Sequence, residues 1–393
     1  MPSSTSITCC RPTRASIWIS SWARAARRRS GSRIEVTQPL SILVPDFQYT
    51  DDAVVEREAA GSKVAWRLFR EHAADRIPNE AWQSADAILC WHGVPIDAGT
   101  VARLFKCRQI VRCGVGFDHI DIEAAGRAGI PVCNVPDYGT SEVADHAIAL
   151  MLSLTRGIVA SHTQLKADPV KGWHWSLAPT IRRVRGTRFG AVGMGRIGTA
   201  TLLRAKAFGF ELLGYDPYVP SGQEIALGVT RFERLHDLLA EADVVSLHAH
   251  LTPETTRLIG MPEFRAMRPD AILINTARGA IVDTDALAQA LEQGLIAAAA
   301  LDVLPEEPPA AGGKLVHAFA QDLPWQRGRL ILTPHSAWSS KASQLDARRK
   351  GVETALAYLT QGQLRNCVNQ AFLSGRRAPA QGRVKEGVIL TPS

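Results

Sequence analysis

A chain of 393 residues, 46% of them hydrophobic and 21% charged, is too long for one ordinary core and too apolar to stay disordered, so two domains are the expectation. A net charge of +7 would suit a nucleic-acid partner if it were spread over the fold. Instead Arg11, Arg14, Arg24, Arg27, Arg28, Arg29 and Arg33 face Glu35 alone in the first 36 residues, which leaves +1 for the remainder and no basic, aromatic-interleaved patch.

Residues 1–38 are rich in Arg and Ser and hold no apolar run of signal-peptide or membrane length, so they are expected to be a disordered leader or a mis-assigned start outside the fold. A transit peptide is one reading; translation from a misplaced start, with Val36 as the alternative initiation site, is preferred. From Leu40 onward short apolar runs alternate with helix-length segments, the pattern of a parallel sheet covered by helices. Leu40–Val44, Ala87–Trp91 and Gln109–Arg112 are the expected strands of the first unit. Ser141–Leu154 is amphipathic and is expected to be a helix that opens after Thr140 and closes near Gly157. A second series follows: Phe189–Val192, Glu211–Tyr215, Asp243–Leu247, Ala271–Asn275, Ala297–Leu301 and Leu330–Thr333. Six strands make a complete dinucleotide-binding sheet. Apolar spacing predicts one more helix over Lys341–Gln361, and residues 374–393 are expected to be a disordered tail. The seven cysteines (Cys9, Cys10, Cys90, Cys107, Cys113, Cys133, Cys367) contain no C-x-x-C pair, so neither a disulfide framework nor a metal site is indicated, and a reducing cytoplasm fits.

Val192-Gly193-Met194-Gly195-Arg196-Ile197-Gly198 is a G-x-G-x-x-G between a strand-like run and a helical pattern. Gly193 permits a tight turn, Gly195 lets the backbone approach a pyrophosphate, and Gly198 allows close helix–strand packing, while the helix N-terminus favours negative charge. Arg196 and Ile197 open that helix, Arg196 beside the pyrophosphate. Asp216 closes the next strand, where a carboxylate accepts hydrogen bonds from ribose hydroxyls and repels a 2′-phosphate, so NAD is expected over NADP.

Gly193 to Gly198, then Asn275-Thr276-Ala277-Arg278-Gly279, Leu301-Asp302-Val303 ending in Glu306-Glu307-Pro308, and Thr333-Pro334-His335 stand in the order that resembles the D-isomer-specific 2-hydroxyacid dehydrogenases, over about Leu40 to Leu373. Within them the chain looks most similar to the branch of the C-terminal-binding protein corepressors. That likeness rests on Val111 to Asp118, Arg204 to Phe210, Tyr215 to Tyr218, His335 to Trp338 and Asn366 to Asn369.

The chemistry asks for the same residue types. A 2-keto acid carries a carboxylate and a carbonyl oxygen that becomes anionic as hydride arrives, which suits the planar guanidinium of Arg278. The developing alkoxide needs a proton that His335 would supply. The resemblance makes Glu307 the imidazole's partner, orienting it and favouring its charged form. The bland alternatives are that Arg278 caps a helix, Glu307 belongs to a solvated acidic pair and His335 ends a strand. Thr276 and Ala277 are carried over as cofactor contacts, as is Asp302 toward the nicotinamide carboxamide; for Asp302 a buried carboxylate capping a loop is the other reading. Cys113, Gly114, Val115 and Gly116 form a glycine loop whose N–H groups can meet a substrate carboxylate, with Arg112 adding charge. Trp338 would wall the substrate side chain, or belong to the core, and His92 would line the same cleft, or be structural.

The resemblance implies two doubly wound parallel-sheet domains: a flavodoxin-like substrate domain, residues 39–140 and 336–373, into which a Rossmann NAD-binding domain, residues 141–335, is inserted. It implies a small 2-keto or 2-hydroxy carboxylate substrate and a homodimer joined through the NAD domain; with no evident phosphate-binding cluster in the glycine loop beyond Arg112, an unphosphorylated substrate is expected in preference to phosphoglycerate. Ser141–Leu154 is the candidate contact, packing within its own subunit the alternative. The function expected is hydride transfer between nicotinamide and C2 of the substrate; a dimeric NAD(H)-sensing binding protein of corepressor type is the alternative.

Overall fold

The computed structural model describes residues 39–175, 178–310, 312–373 and 375; the predicted leader, and the predicted tail apart from Gly375, lie outside them. The first sheet contains β1 (Leu40–Val44), β2 (Val64–Leu68), β3 (Ala87–Cys90), β4 (Gln109–Arg112) and β5 (Val132–Asn134) in the parallel order β2-β1-β3-β4-β5. Every residue of β3 and β4 is buried, which is why β3 runs apolar rather than alternating, while β4 places Ile110 and Val111 between buried Gln109 and Arg112. Two of these five strands were not anticipated. β2 is a half-buried edge carrying Arg67, and β5 is three residues long, too short for a periodic signal.

The second sheet holds β6 (Arg188–Val192), β7 (Glu211–Tyr215), β8 (Thr230–Arg231), β9 (Val244–Leu247), β10 (Ile272–Asn275), β11 (Ala298–Leu301) and β12 (Leu330–Leu332). Their order, β12-β11-β10-β9-β6-β7-β8, is doubly wound from β6. Seven strands therefore replace the six expected, the addition being the two-residue edge strand β8. Both sheets are parallel throughout, as expected.

The helix Thr140–Thr155 carries the chain from one sheet to the other. It packs on the helix Arg196–Ala207 and on β10 and β11, burying Val143, Ala144, Ala147, Ile148, Leu150, Met151 and Leu154. Its apolar face is thus covered within its own subunit. The last helix, Lys341–Gln361, is capped by Ser340, whose Oγ accepts from Ser343 N, and returns to cover β3 and β4. Arg348 on that helix pairs with Glu56 and Asp51, 2.6 Å to each, and lies 4.1 Å over the Tyr49 ring. A buried guanidinium held by two carboxylates fixes where the helix docks, since removing either partner strands charge. The two crossings touch, Ser340 Oγ donating to Glu142 Oε1 at 2.8 Å. The carboxyl ends of both sheets face the crevice beside them, where α/β folds place their ligands.

Candidate active site

The turn after β6 satisfies the demands on three glycines separately. Gly193 has φ 96°, and a Cβ there would stand 2.8 Å from the Ala249 nitrogen. A Cβ on Gly198 would stand 2.0 Å from Gly193 O, so the helix Arg196–Ala207 reaches β6 only through glycine. Gly195, by contrast, would meet nothing within 4 Å, leaving open backbone at the helix entrance, with Arg196 exposed and Ile197 half-buried beside it. Asp216 is half-buried at the end of β7, accepting from Met194 N at 2.7 Å and Tyr218 N at 2.9 Å. It therefore ties the turn as well as offering a carboxylate edge. Around the same crevice Thr276 Oγ1 and His248 Nδ1 are buried without partners among the described residues, and burial pushes the His248 pKa down to about 4. Open glycine backbone and orphaned polar atoms at a helix N-terminus fit a dinucleotide.

At the end of β10, fully buried Asn275 shapes the next turn: its Nδ2 donates to Arg278 O at 2.9 Å and its Oδ1 accepts from Ala277 N at 3.0 Å. Arg278 leaves this turn toward the first sheet. From the loop after β11, Glu307 Oε2 lies 2.6 Å from His335 Nδ1, and Glu307 Oε1 accepts from Leu304 N at 2.8 Å. Burial raises the Glu307 pKa, but the His335 hydrogen bond and charge outweigh it, so the carboxyl titrates below its usual range. His335 sits after β12 with φ 51°, a left-handed backbone anchored by its N–H to Asp302 O at 2.7 Å. With Nδ1 committed to Glu307, Nε2 is the nitrogen left to face a ligand. The His92 ring stacks on it at 6.0 Å, with Gln48 Nε2 3.1 Å from His92 Nδ1. Desolvation in the cleft, then the charges of Arg112 and His335, push the His92 pKa down to about 4. His92 thus lies beside His335, and it is neutral at pH 7.

Several expectations about the glycine loop change in detail. Cys113 donates its N–H to Cys90 O at 2.8 Å, and its buried thiol faces Gly351, where a Cβ would come within 2.7 Å of it. Its position in the core comes from β4 continuing one residue into the sheet's ladder, so Cys113 offers a ligand neither N–H nor thiol. Gly114 spends its N–H on Arg112 O at 2.8 Å. Val115 and Gly116 keep N–H groups with no acceptor among the described residues. Arg112 is 7% exposed and supports the loop from beneath, its Nε donating to Gly116 O at 2.9 Å. Trp338 is half-buried at the second crossing, edge-on to Tyr138 at 5.9 Å and against Gly139.

Asp302 requires a plain correction. Its side chain has no exposed surface and accepts from Thr333 Oγ1 at 2.5 Å, Ser336 N at 3.0 Å and Ala337 N at 2.9 Å. Both oxygens are used inside the protein, so it caps the His335 loop and presents nothing to a cofactor.

Sequence reasoning missed two carboxylates. Asp46, after β1, accepts from Trp91 N at 2.9 Å, Gly93 N at 2.7 Å and Val94 N at 3.3 Å, and so holds the turn that carries His92. Asp118 lies 2.8 Å from Arg278 Nε. An acid directly after a β-strand is a weak signal for the first; nothing local signals the second.

Residues 148–337 match the NAD-binding domain of the D-isomer specific 2-hydroxyacid dehydrogenase family. The chain is 35% identical over 305 residues to a D-3-phosphoglycerate dehydrogenase of Methanocaldococcus jannaschii, covering 78% of this chain and 55% of that protein. It spans little more than half the length of the curated relatives it matches. Among solved structures it is similar to a protein of Thermus thermophilus, at 32% identity and a TM-score of 0.70, over 84% of this chain and 100% of that one. It is also similar to a D-lactate dehydrogenase of Aquifex aeolicus solved with NAD and lactic acid, at 26% identity and a TM-score of 0.70, over 81% of this chain and 95% of that one.

Proposed function

The chain belongs to the D-isomer-specific 2-hydroxyacid dehydrogenase family, and from that premise we propose that it moves a hydride between NAD(H) and C2 of a small D-2-hydroxy or 2-keto carboxylate. The observation that carries this reading is the His335–Glu307 pair, 2.6 Å apart, in the same crevice as Arg278 and the unpaired N–H groups of Val115 and Gly116. Residues 39–140 and 336–373 form the substrate domain, and 141–335 the NAD domain. Gly193, Gly195, Arg196, Ile197, Gly198, Asp216, Thr276 and Ala277 hold the dinucleotide, which when bound supplies or accepts the hydride.

The rest of the chemistry falls to the chain. Arg278 and the two loop N–H groups hold the substrate carboxylate and polarise the carbonyl. In reduction His335 Nε2 gives its proton to the oxygen that becomes the hydroxyl, while Glu307 keeps the ring oriented and balances the imidazolium. In oxidation the same nitrogen takes the hydroxyl proton. Trp338, with Tyr138 behind it, walls the substrate's side chain. The test is consumption of NADH by purified protein across a panel of 2-keto acids. Tight NADH binding with none of them reduced would reject the dehydrogenase in favour of an NAD(H)-sensing binding protein.

Cofactor choice gives a direct prediction. A 2′-phosphate beside Asp216 sets like charges together, so the Kd for NADPH should exceed that for NADH by about a hundredfold in fluorescence titrations. Asp216→Asn should narrow that gap by strengthening NADPH. An unchanged ratio would dissociate Asp216 from the ribose.

We further propose a homodimer formed through the NAD domain, but by the segment after Thr140–Thr155. Val170, Trp173 and Trp175 are 84%, 80% and 86% exposed, beside a cleft of about 550 Å³ lined by Leu154, Val159, Ala160, Phe319, Leu330 and Ile331 among others. Large exposed aromatics next to an apolar cleft of the same chain suit a self-complementary interface. Trp173→Ala with Trp175→Ala should weaken self-association in sedimentation equilibrium by about a hundredfold or more. A wild type that sediments as a monomer would remove the proposal.

A further inference from the structure

Asp118 takes no part in the reading above, yet it holds the substrate arginine. Arg278 Nε donates to Asp118 Oδ1 at 2.8 Å, across 160 residues of chain and from one sheet to the other. Among the described residues this is the one ion pair that joins residues 39–139 to residues 141–335. The rest of the guanidinium is also constrained. Nη1 donates to Ala277 O at 2.8 Å, and Nη2 lies so close over Gly116 that a Cβ there would stand 1.4 Å from it. Next to Asp118, the Phe117 ring meets the His250 ring at 6.5 Å, a second contact across the same cleft.

A guanidinium is planar, so fixing Nε and Nη1 fixes the plane and aims Nη2 at the glycine loop, where Val115 and Gly116 have N–H groups to share with a carboxylate. We propose that Asp118 is a positioning residue. From the substrate domain it sets the plane of Arg278, which the NAD domain carries, so the guanidinium is aimed only when the two domains stand in this register. This rests on the reading of Arg278 as the substrate-binding arginine.

Electrostatics agree with a fixed role rather than a titrating one. Burial raises the Asp118 carboxyl, but the Arg278 charge and hydrogen bond outweigh it, so it stays ionised through the neutral range. The plain alternative is an interdomain ion pair that only stabilises. Its side chains are 25% and 38% exposed, and pairs that open to solvent contribute little stability. Stability and substrate handling therefore separate the two roles.

The experiment compares wild type, Asp118→Ala and Asp118→Asn in the NADH-bound protein, reading keto-acid KM and kcat, NADH Kd by fluorescence, Tm, and the affinity of oxamate, an unreactive substrate mimic. Asparagine keeps an oxygen at the Asp118 Oδ1 position. The alanine variant should raise the keto-acid KM and the oxamate Kd about tenfold, one factor of ten in transition-state or ground-state binding. NADH Kd and Tm should not move, and the asparagine variant should recover most of the loss. Unchanged KM and oxamate affinity in Asp118→Ala, or losses that follow a fallen Tm or NADH affinity, would overturn the inference while leaving the dehydrogenase reading standing. A wild type that neither reduces a keto acid nor binds oxamate would reject that reading, and the inference with it.

Discussion

Replacing His335 by alanine is expected to lower kcat/KM for keto-acid reduction by about a thousandfold, within the range a positioned general acid supplies, and to leave NADH affinity unchanged. Two stacked imidazoles share the cleft, and their environments assign the roles. His92 is pushed down to about pKa 4 and carries no proton to give at pH 7. His335 has its Nδ1 on the Glu307 carboxylate at 2.6 Å, which leaves Nε2 for the substrate oxygen. Glu307 is held below its ordinary value of 4.5, so its carboxylate stays ionised at every pH above that and acid does not remove it in the working range. Reduction needs the imidazolium, whose charge the Glu307 carboxylate balances. Glu307→Gln replaces that charge with a neutral amide and should lower kcat/KM for reduction by about a hundredfold with NADH affinity unchanged. Steady-state rates for both variants check this. A Glu307→Gln variant at the wild-type rate, or a His335→Ala variant within tenfold of wild type, would remove the pair from catalysis.

The sequence made the site's order legible more readily than its geometry. Strands buried on both faces, such as Ala87–Cys90 and Ile272–Asn275, are continuous apolar runs and can be found without tertiary information. β5 and β8 cannot, because two or three residues show no period and are made by their neighbours. The glycine turn was readable because each glycine answers a backbone demand that no other residue meets. Cys113 and Asp302 were not, because their roles depend on burial: one thiol is turned onto Gly351, one carboxylate is enclosed by the loop it caps. The Asp118–Arg278 pair is more remote still, joining two sheets through residues that share no local pattern. Exposure is likewise not legible in the sequence: the apolar face of Ser141–Leu154 is covered within the subunit, while Val170, Trp173 and Trp175 are exposed.

Asp302→Ala is expected to destabilise the protein and to disable it together. The carboxylate has no exposed surface, and it accepts from two loop N–H groups, those of Ser336 and Ala337, and from the Thr333 hydroxyl. Alanine takes the acceptor from the buried Ala337 N–H and the part-buried Ser336 N–H, at about 1–3 kcal/mol each before relaxation, while the Thr333 hydroxyl keeps His146 Nε2 at 3.1 Å. The loop's relaxation recovers part of this, so a net loss of about 3 kcal/mol and a fall in Tm on the order of 10 °C are expected by differential scanning calorimetry. Relaxation is also what disables the site. His335 stands at φ 51° inside that loop, a conformation a histidine keeps only while its surroundings impose it. Once residues 333–337 are released, the imidazole swings from Glu307, and kcat should fall by about a hundredfold, short of deletion because the ring still visits the cleft. NADH affinity separates this from the rejected role. A carboxylate that touched the nicotinamide would, on truncation, raise the NADH Kd with Tm in place; a loop cap lowers Tm and kcat with the dinucleotide still bound.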